Sequence, residues 1–426
     1  MHMKIEHRRG RSRTGVVKVG GKNLKTPACL AYTRAGAIPH VIQDLAENIK
    51  NLPAAMQLTL PTLTDQPPQE ITSNQSNGIH TFLGLQNFVS FLTIQDPVQT
   101  PPSGYNEDNA VSVWTSGGRR KFTVQKYLAK LMVLRPTVAE CLCDTIPASK
   151  QTAKRIKKSV DRTLKFLDEL VASKSEVLRN CSLLGAIEGS DSLEERIRSA
   201  RETATRPVSG FVLEGFNPKA SSDWISLLQD TVDVLPCDKP RVIQGISSPD
   251  EVLQAVDCGV DIFDSSFPYQ LAERGSALVF PSRHKRFKGD RNYTDNTTEA
   301  SNINSTQSPA EMNNTEILIT EETDNERHVK GIDKRRTTDF EIDLNKTSYS
   351  TDMGPVDSSC TCYCCANHTR AYIHHLLVTK EMLAQVLLMM HNQHQYFKFF
   401  QEIRQALTSE ETWEEFKDRV LGQRTR

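Results

Sequence analysis

The chain of 426 residues carries 52 lysines and arginines against 52 aspartates and glutamates, so its formal net charge is zero. At about 100–200 residues per domain, this length allows two or three domains or one large barrel. The balanced charge excludes a global positive field, so any RNA contact must come from local patches. Residues 1–14 are basic without the apolar core of a signal peptide, and no later stretch has the length of a membrane span, which predicts a soluble, cytoplasmic protein.

The first half of the chain contains short β-prone runs. The run TGVVKVGGKNLKTP, with Gly20 and Gly21 at its centre, predicts an antiparallel hairpin. Four further runs are candidates for parallel strands: PACLAYT from Pro27, AAMQLTL from Ala54, SVWTSGG from Ser112 and VLRPTVAECL from Val133. Apolar residues from Ala153 to Leu170 then recur at helical spacing and predict a long amphipathic helix.

From Leu183 onward, strands and helices alternate regularly. The runs LLGAIEG, GFVLEG, RVIQGI and VDIFDSS are nearly continuous in apolar residues, as in a parallel sheet covered by helices. The helices between them are expected to begin at the capping residues Asp191, Ser222 and Ser248. Four early and four late strands predict an α/β fold, a (β/α)8 TIM barrel, rather than an open doubly wound sheet.

Composition divides the chain into three parts. We expect the barrel to occupy residues 1–282. Residues 283–339 are dominated by Asn, Thr, Ser, Glu and Asp, which bury too little apolar surface to fold and predict a disordered polar insertion. Residues 340–426 contain a cysteine cluster and a predicted helix of about thirty residues from Ile373, and we expect a zinc-binding subdomain with C-terminal helices there.

The cysteines fall into two groups. Six are scattered through apolar runs and are expected to be small buried hydrophobic residues: Cys29, Cys141, Cys143, Cys181, Cys237 and Cys258. Cys360, Cys362 and Cys365 form a C-x-C-x2-C knuckle whose soft thiolates favour zinc. The spacing leaves the fourth ligand open among Cys364 and five histidines: His368, His374, His375, His391 and His394. Three free core cysteines are the alternative.

These segments resemble the tRNA-guanine transglycosylases. The run CTCYCCANHTRAYIHHLLVTKEMLAQVLLMMHN is similar to that family's zinc-binding segment, which combines C-x-C-x2-C with a histidine in a later HN pair. RVIQGISSPDEVLQAVDCGVDIFDSS is similar to the family's stretch ending in G-[IV]-D-M-F-D. The resemblance implies a (β/α)8 barrel with one zinc ion per chain, held by Cys360, Cys362, Cys365 and His391, and it makes Cys364 a bystander.

The family exchanges a guanine of the tRNA anticodon loop through a covalent aspartyl-ribose intermediate, which needs a nucleophilic carboxylate and a second carboxylate for proton transfer. The resemblance places Asp264 at the nucleophile position, although a carboxylate there also suits a purely structural role. The family's D-S-G-G-F-Q corresponds to T-S-G-G-R-R here. Thr115 therefore replaces the proton-transferring aspartate, and Arg119 and Arg120 replace the Phe-Gln pair, so the catalytic pair is incomplete.

Other positions of the family's pocket are also replaced. Glu188, Gly189 and Ser190 correspond to Q-G-G, Cys143 stands at an aspartate position, Ser209, Gly210 and Phe211 correspond to G-G-L, and Pro268, Tyr269 and Gln270 correspond to P-T-R. Such departures predict a non-catalytic subunit of a queuine-inserting transglycosylase. It would form a heterodimer with a catalytic homologue that exchanges guanine for queuine at the anticodon wobble position, and it would contribute tRNA-binding surface.

Two alternatives remain at this point. One is an independently active transglycosylase in which Asp264 attacks and Glu188 or Asp144 replaces the lost base. The other is a zinc-dependent RNA- or purine-binding protein. The sequence also leaves open a homodimer and docking on an organelle surface, such as the mitochondrial outer membrane.

Overall fold

The structure is a computed structural model that describes residues 1–46, 48–65, 78–100, 102, 104–146, 151–218, 223–280, 338–409 and 412–422. Its strands are β1 (His2–Arg9), β2 (Ser12–Val19), β3 (Lys22–Thr26), β4 (Ala28–Cys29), β5 (Ala31–Tyr32), β6 (Ala55–Thr59), β7 (Val89–Thr93), β8 (Val111–Thr115), β9 (Gly118–Phe122), β10 (Val138–Glu140), β11 (Ser182–Ile187), β12 (Gly210–Leu213), β13 (Arg241–Ile243), β14 (Ile262–Phe263), β15 (Ser276–Leu278) and β16 (Glu341–Asp343).

Its helices are α1 (Gln43–Ala46), α2 (Leu60–Leu63), α3 (Ile79–Phe82), α4 (Val124–Leu134), α5 (Ala153–Ala172), α6 (Val177–Asn180), α7 (Leu193–Ala204), α8 (Trp224–Asp233), α9 (Pro249–Asp257), α10 (Ser266–Glu273), α11 (Tyr363–Asn367), α12 (Arg370–Val378), α13 (Leu383–Thr408) and α14 (Trp413–Leu421), with a 3-10 turn at Thr347–Tyr349.

The central sheet is a closed parallel barrel. Its strands follow the order β4, β14, β13, β12, β11, β10, β7, β6, β5. Since β4 and β5 are two segments of one strand around Leu30, pairing with β14 on one side and β6 on the other closes the sheet into eight strands. The predicted (β/α)8 barrel is confirmed, and all four late strands lie where the sequence indicated.

A three-stranded antiparallel sheet, β1-β2-β3, closes the end of the barrel at which the strands begin. The hairpin predicted around Gly20 and Gly21 is β2-β3, and both glycines have positive φ, 55° and 72°, as the tight turn requires. Met3, Val17 and Leu24 are buried in one cluster with apolar side chains from the barrel interior. The opposite end, where the strands finish, therefore carries the polar side chains.

Two early strands differ from the prediction. The run from Ser112 is not a barrel strand: β8 pairs antiparallel with β9, because the two-residue turn at Ser116 and Gly117 folds the chain straight back. The third barrel strand is instead β7, a short apolar run between β6 and β10. The first residues of the run from Val133 are the last residues of α4, which ends before Arg135, a residue with a φ of 48°. Only the later part of the run forms β10.

The helices follow the predicted pattern with small shifts. The long amphipathic helix is α5, and Ile156, Val160, Leu164 and Leu167 lie on its buried face. Helix α7 begins one residue later than expected, because the side chain of Ser192, not Asp191, accepts a hydrogen bond from the Glu195 amide. Ser248 is the N-cap residue of α9. Ser222 lies outside the described residues.

The single C-terminal helix predicted from Ile373 is wrong, since the chain forms two helices there, α12 and α13. Lys380 lies between them with a φ of 57°, a left-handed conformation that a continuous helix cannot contain. Of the expected insertion, residues 283–337 lie outside the described residues. Thr338 and Asp339 lead into β16, which pairs antiparallel with β15 and so joins the two sides of that segment.

Candidate functional site

Four side chains near the C-terminus converge as a metal site requires. The sulfurs of Cys360, Cys362 and Cys365 lie 3.8, 3.5 and 3.2 Å from Nδ1 of His391. The four donor atoms lie within 4.8 Å of one another, so the cluster could hold a metal ion. Neighbouring donors around a tetrahedral zinc ion are about 3.5 Å apart, since the metal bonds are about 2.0–2.3 Å long.

The short helix α11 shapes the cysteine knuckle. Cys362 is its N-cap residue, and its sulfur accepts a hydrogen bond from the Cys365 amide at 3.4 Å. The Cys360 sulfur accepts from the Cys362 amide at 3.5 Å. Amide donors directed at sulfur favour the thiolate, which is the form that binds metal. Cys364 is buried outside this cluster, and burial raises the pKa of its thiol.

The ring of His391 is oriented by a bond from its other nitrogen. Nε2 donates to the carbonyl oxygen of Leu278 at 2.9 Å, which leaves the lone pair of Nδ1 directed at the sulfurs. The neighbouring Asn392 accepts from the Leu278 amide at 2.7 Å and donates to the Ser276 carbonyl at 3.1 Å. His391 and Asn392 together therefore connect α13 to β15 by hydrogen bonds.

The other candidate histidines have different surroundings. His368 stacks on Tyr372 with ring centroids 5.4 Å apart. His374 donates from Nδ1 to the Leu344 carbonyl at 2.9 Å, and His375 is exposed. His394 lies one helical turn beyond His391, and the four-residue cluster does not include it.

Asp264 lies at the end of the barrel where the strands finish, directly after β14, and it is buried. Its Oδ2 accepts from the Gly245 amide at 2.6 Å, and its Oδ1 accepts from the Ser266 amide at 2.8 Å. Burial raises the pKa of this carboxyl group. The two bonds hold the loop after β13 and the start of α10, which is the structural role of a strand-end carboxylate.

Thr115 lies on the β8-β9 hairpin, outside the barrel sheet. Its hydroxyl donates to Asp65 at 2.5 Å, and Arg120 donates to the second oxygen of the same carboxylate at 3.0 Å. Arg119 pairs with Glu107 at 3.5 Å, and its guanidinium lies 5.2 Å from the ring centroid of Tyr105. Both arginines are therefore engaged by acidic side chains close to the hairpin.

The two residues considered as replacement bases are in contrasting environments. Asp144 is buried and held by the guanidinium groups of Arg155, at 2.7 and 2.9 Å, and Arg162, at 3.0 Å. Glu188 accepts from the Thr145 hydroxyl at 2.8 Å. Burial, followed by the nearby Glu214 carboxylate, raises the pKa of Glu188 to about 8.

Two further acidic residues at this end of the barrel were missed in the sequence. Glu140 is the last residue of β10 and Glu214 follows β12, and both are buried. Burial raises the pKa of Glu140 well above its ordinary value. The sequence does contain a pattern that predicts this group. Each of three successive apolar strands ends in a glutamate, in VAEC, AIEG and VLEG.

Comparison with known proteins places this chain. A family model described as queuine tRNA-ribosyltransferase matches residues 8–426. The chain belongs to this family. Relatives include the queuine tRNA-ribosyltransferase accessory subunit 2 of Xenopus tropicalis, 44% identical over 403 residues with 93% of each chain covered. The human protein of the same name is 42% identical with 92% of each covered, and the Danio rerio protein is 38% identical with 96% of this chain and 95% of the relative covered.

The family assignment agrees with the closed barrel and with the cysteine and histidine cluster near the C-terminus. Within the described part of the chain, no helix combines the length and the apolar character that crossing a membrane requires.

Proposed function

We propose that this chain is the non-catalytic subunit of a queuine tRNA-ribosyltransferase and that it forms a heterodimer with a catalytic homologue. The observation that carries the proposal is Thr115 at the position of the family's proton-transferring aspartate. Its hydroxyl is bonded to Asp65, and a hydroxyl cannot act as an acid or base near neutral pH. The accessory-subunit names of relatives that are up to 44% identical support the same assignment.

We propose zinc as the metal of the four-residue cluster. Three thiolates and one imidazole make a donor set that zinc favours, and the bond from His391 to Leu278 fixes the ring in the tautomer that a metal needs. The ion would be structural, since four protein ligands close its tetrahedral coordination. It would attach the knuckle to α13 and, through Leu278, to β15.

The docking surface for the catalytic homologue is an apolar region on the same subdomain, composed of Tyr363, Tyr372, Val378, Met382 and Leu383. Their exposed fractions run from 39% to 82% and are largest at Val378, 65%, and Met382, 82%. Val378, Met382 and Leu383 lie close in sequence around the turn between α12 and α13, and exposed apolar side chains of this kind are typical of protein interfaces. A catalytic partner of the same fold would present the corresponding subdomain.

The outer face of the N-terminal sheet is the candidate contact for tRNA. Met3, Val17 and Leu24 face the barrel, so the alternation along the strands places Lys4, Lys18 and Lys25 on the opposite, solvent side. Exposed lysines on one face attract a phosphate backbone even in a chain of zero net charge.

The test combines purification and base exchange. The chain alone should not insert labelled guanine or queuine into tRNA, whereas its complex with a catalytic homologue should do so and should have a one-to-one mass by native mass spectrometry. Met382→Asp should weaken the complex, while Met132→Asp, at an exposed apolar position of α4, should not. Robust exchange by the chain alone would support the independently active alternative, and a homodimer that ignores the homologue would contradict the proposed partner.

A further inference from the structure

A second group of potential metal ligands lies far along the chain from the cysteine knuckle, at the end of the barrel where the strands finish. Glu140 ends β10, Cys143 follows three residues later, and Glu214 comes directly after β12. All three side chains are buried, with exposed fractions of 1%, 0% and 8%. One donor atom from each lies within 4.8 Å of the others.

We propose that Glu140, Cys143 and Glu214 form a second metal site in this chain and that the site takes a zinc ion. The inference goes beyond the proposed function, because it concerns residues that neither catalysis nor the knuckle uses.

The donor atoms of Cys143 and Glu140 are as close to each other as those of the knuckle, and Thr145 connects Cys143 with Glu214. The Cys143 sulfur lies 3.5 Å from Oε1 of Glu140 and 3.2 Å from the Thr145 hydroxyl, which in turn lies 3.2 Å from Oε2 of Glu214. The sulfur-to-imidazole separations in the knuckle are 3.2–3.8 Å. The distance of 3.5 Å between Cys143 and Glu140 suits two donors that share one small ion.

A third carboxylate adds an independent observation. Oε1 of Glu188 lies 2.8 Å from the Thr145 hydroxyl, which itself lies 3.2 Å from Oε2 of Glu214, so Glu188 borders the group. Its second oxygen, Oε2, is buried and has no hydrogen-bond partner within the described residues. A buried carboxyl oxygen without a donor is costly, and a cation held nearby would lower that cost, although Glu188 is not one of the three residues whose donor atoms lie within 4.8 Å of one another.

The charges around this group leave room for a cation. Three carboxyl side chains meet here, and the buried guanidinium of Arg196 lies beside them. The guanidinium donates to the backbone carbonyls of Ser190, Ile187 and Glu214, and among the described residues it hydrogen-bonds none of the three carboxyl groups. A divalent ion would displace the protons that burial favours on these carboxyl groups, and it would then supply the counter-charge that buried carboxylates require.

The donor set indicates which ion. Magnesium and calcium prefer oxygen ligands alone, whereas a thiolate together with carboxylates suits zinc. Thr145 would then orient the ligands from outside the coordination sphere.

The test counts zinc ions in the full chain. The protein is incubated with excess zinc, passed through gel filtration and measured by native mass spectrometry. We expect two zinc ions in the wild type and one in Cys143→Ser and in Glu214→Gln. Cys141→Ser is the matched control, because that buried cysteine accepts from the Ala186 amide and lies outside the group, and it should keep two. One ion in every protein, or two ions that persist in both ligand variants, would overturn the proposal.

A second measurement needs no variant and decides the question if the substitutions prevent folding. X-ray absorption at the zinc edge of the wild-type protein reports the average number of sulfur neighbours. Three thiolates at one site and one at the other give about two sulfurs per zinc, whereas the knuckle alone gives about three. An average of three at full zinc loading would contradict the second site.

Discussion

Nε2 of His391 donates to the carbonyl oxygen of Leu278 at 2.9 Å, across 113 residues of the chain. Leu278 is the last residue of β15, and its amide donates to the adjacent Asn392. The metal-ligand candidate on α13 is therefore held by the strand that follows the barrel. Because of this bond, the state of the knuckle and the packing of β15 should be coupled.

The two adjacent cysteines of the knuckle provide a matched test of the ligand set. Cys365→Ser should lower the zinc content at the knuckle and loosen the C-terminal region, since structural zinc sites and folding are coupled. Cys364→Ser should leave the content unchanged, because Cys364 lies outside the cluster. Metal analysis and hydrogen exchange of the Leu278 amide report both effects. A site emptied by Cys364→Ser but not by Cys365→Ser would refute the assignment.

The polar segment between β15 and β16 should be dispensable for folding. Leu278 pairs with Glu341, and Arg274 makes two bonds of 2.8 Å to the Glu341 carboxylate, so the two sides of the segment are joined without it. Deletion of residues 291–336 should preserve solubility and metal content. Thermal unfolding of the deletion variant is the measurement, and loss of its cooperative transition would show that the segment is structural.

Breaking the buried pair of Arg13 and Asp261 should cost far more stability than breaking a surface pair. Two bonds of 2.7 and 2.6 Å join them, and their side chains are 1% and 0% exposed. Asp261→Asn leaves a buried guanidinium without its counter-charge and should cost about 3–5 kcal/mol. Arg11 and Asp233, 43% and 45% exposed, are the control, and Arg11→Ala should cost about 0–1 kcal/mol. Urea unfolding compares the two, and equal losses would contradict this account.

The structure also explains which elements could be predicted from sequence. The late barrel strands are nearly continuous in apolar residues and alternate with capped helices, which makes β11 to β14 recognisable. The third strand, β7, was missed because a five-residue apolar run has no distinctive period, while the alternating run at β8 imitates a strand of the barrel. Antiparallel pairing with β9 follows from the two-residue turn at Ser116 and Gly117, a hairpin signal that the prediction of a parallel strand did not use.

The cysteine knuckle and the buried glutamates of the barrel also differ in how well the sequence predicts them. The knuckle is predictable because its three cysteines are close in sequence, although the choice of His391 needed a resemblance. Glu140 and Glu214 are separated by more than seventy positions and meet only because β10, β11 and β12 are neighbours in the barrel. A single glutamate after an apolar strand is indistinguishable from a solvated loop residue until the barrel is assembled.

Glu188 should make stability depend on pH in protein whose group of Glu140, Cys143 and Glu214 holds no zinc. Burial and the Glu214 carboxylate raise its pKa from 4.5 to about 8. Between these values the folded chain holds a proton that the unfolded chain releases, so the free energy of unfolding falls as pH rises, by about 1.4 kcal/mol per pH unit for one group. Glu188→Gln should remove this loss, and its stability relative to the wild type should improve from pH 5 to pH 8.

Urea unfolding across this pH range is the measurement for Glu188→Gln. Glu194→Gln, at an exposed position of α7, is the control and should differ from the wild type by the same amount at every pH. A constant difference for Glu188→Gln as well would show that this carboxyl group does not carry the pH dependence.

The last prediction asks which subunit of the proposed heterodimer supplies the nucleophile, Asp264 of this chain or the corresponding carboxylate of the catalytic homologue. Asp264 is buried, and both of its oxygens accept from backbone amides, while Thr115 offers no titratable partner. Positioned acid–base catalysis contributes about 10²–10⁴-fold, so chemistry at Asp264 should be negligible beside that of the catalytic homologue. Asp264→Asn in this chain should leave the exchange rate of the complex within about twofold, whereas the same change at the partner's nucleophile should abolish exchange. Loss of exchange on Asp264→Asn, with the complex still assembled by native mass spectrometry, would show that this chain takes part in the chemistry.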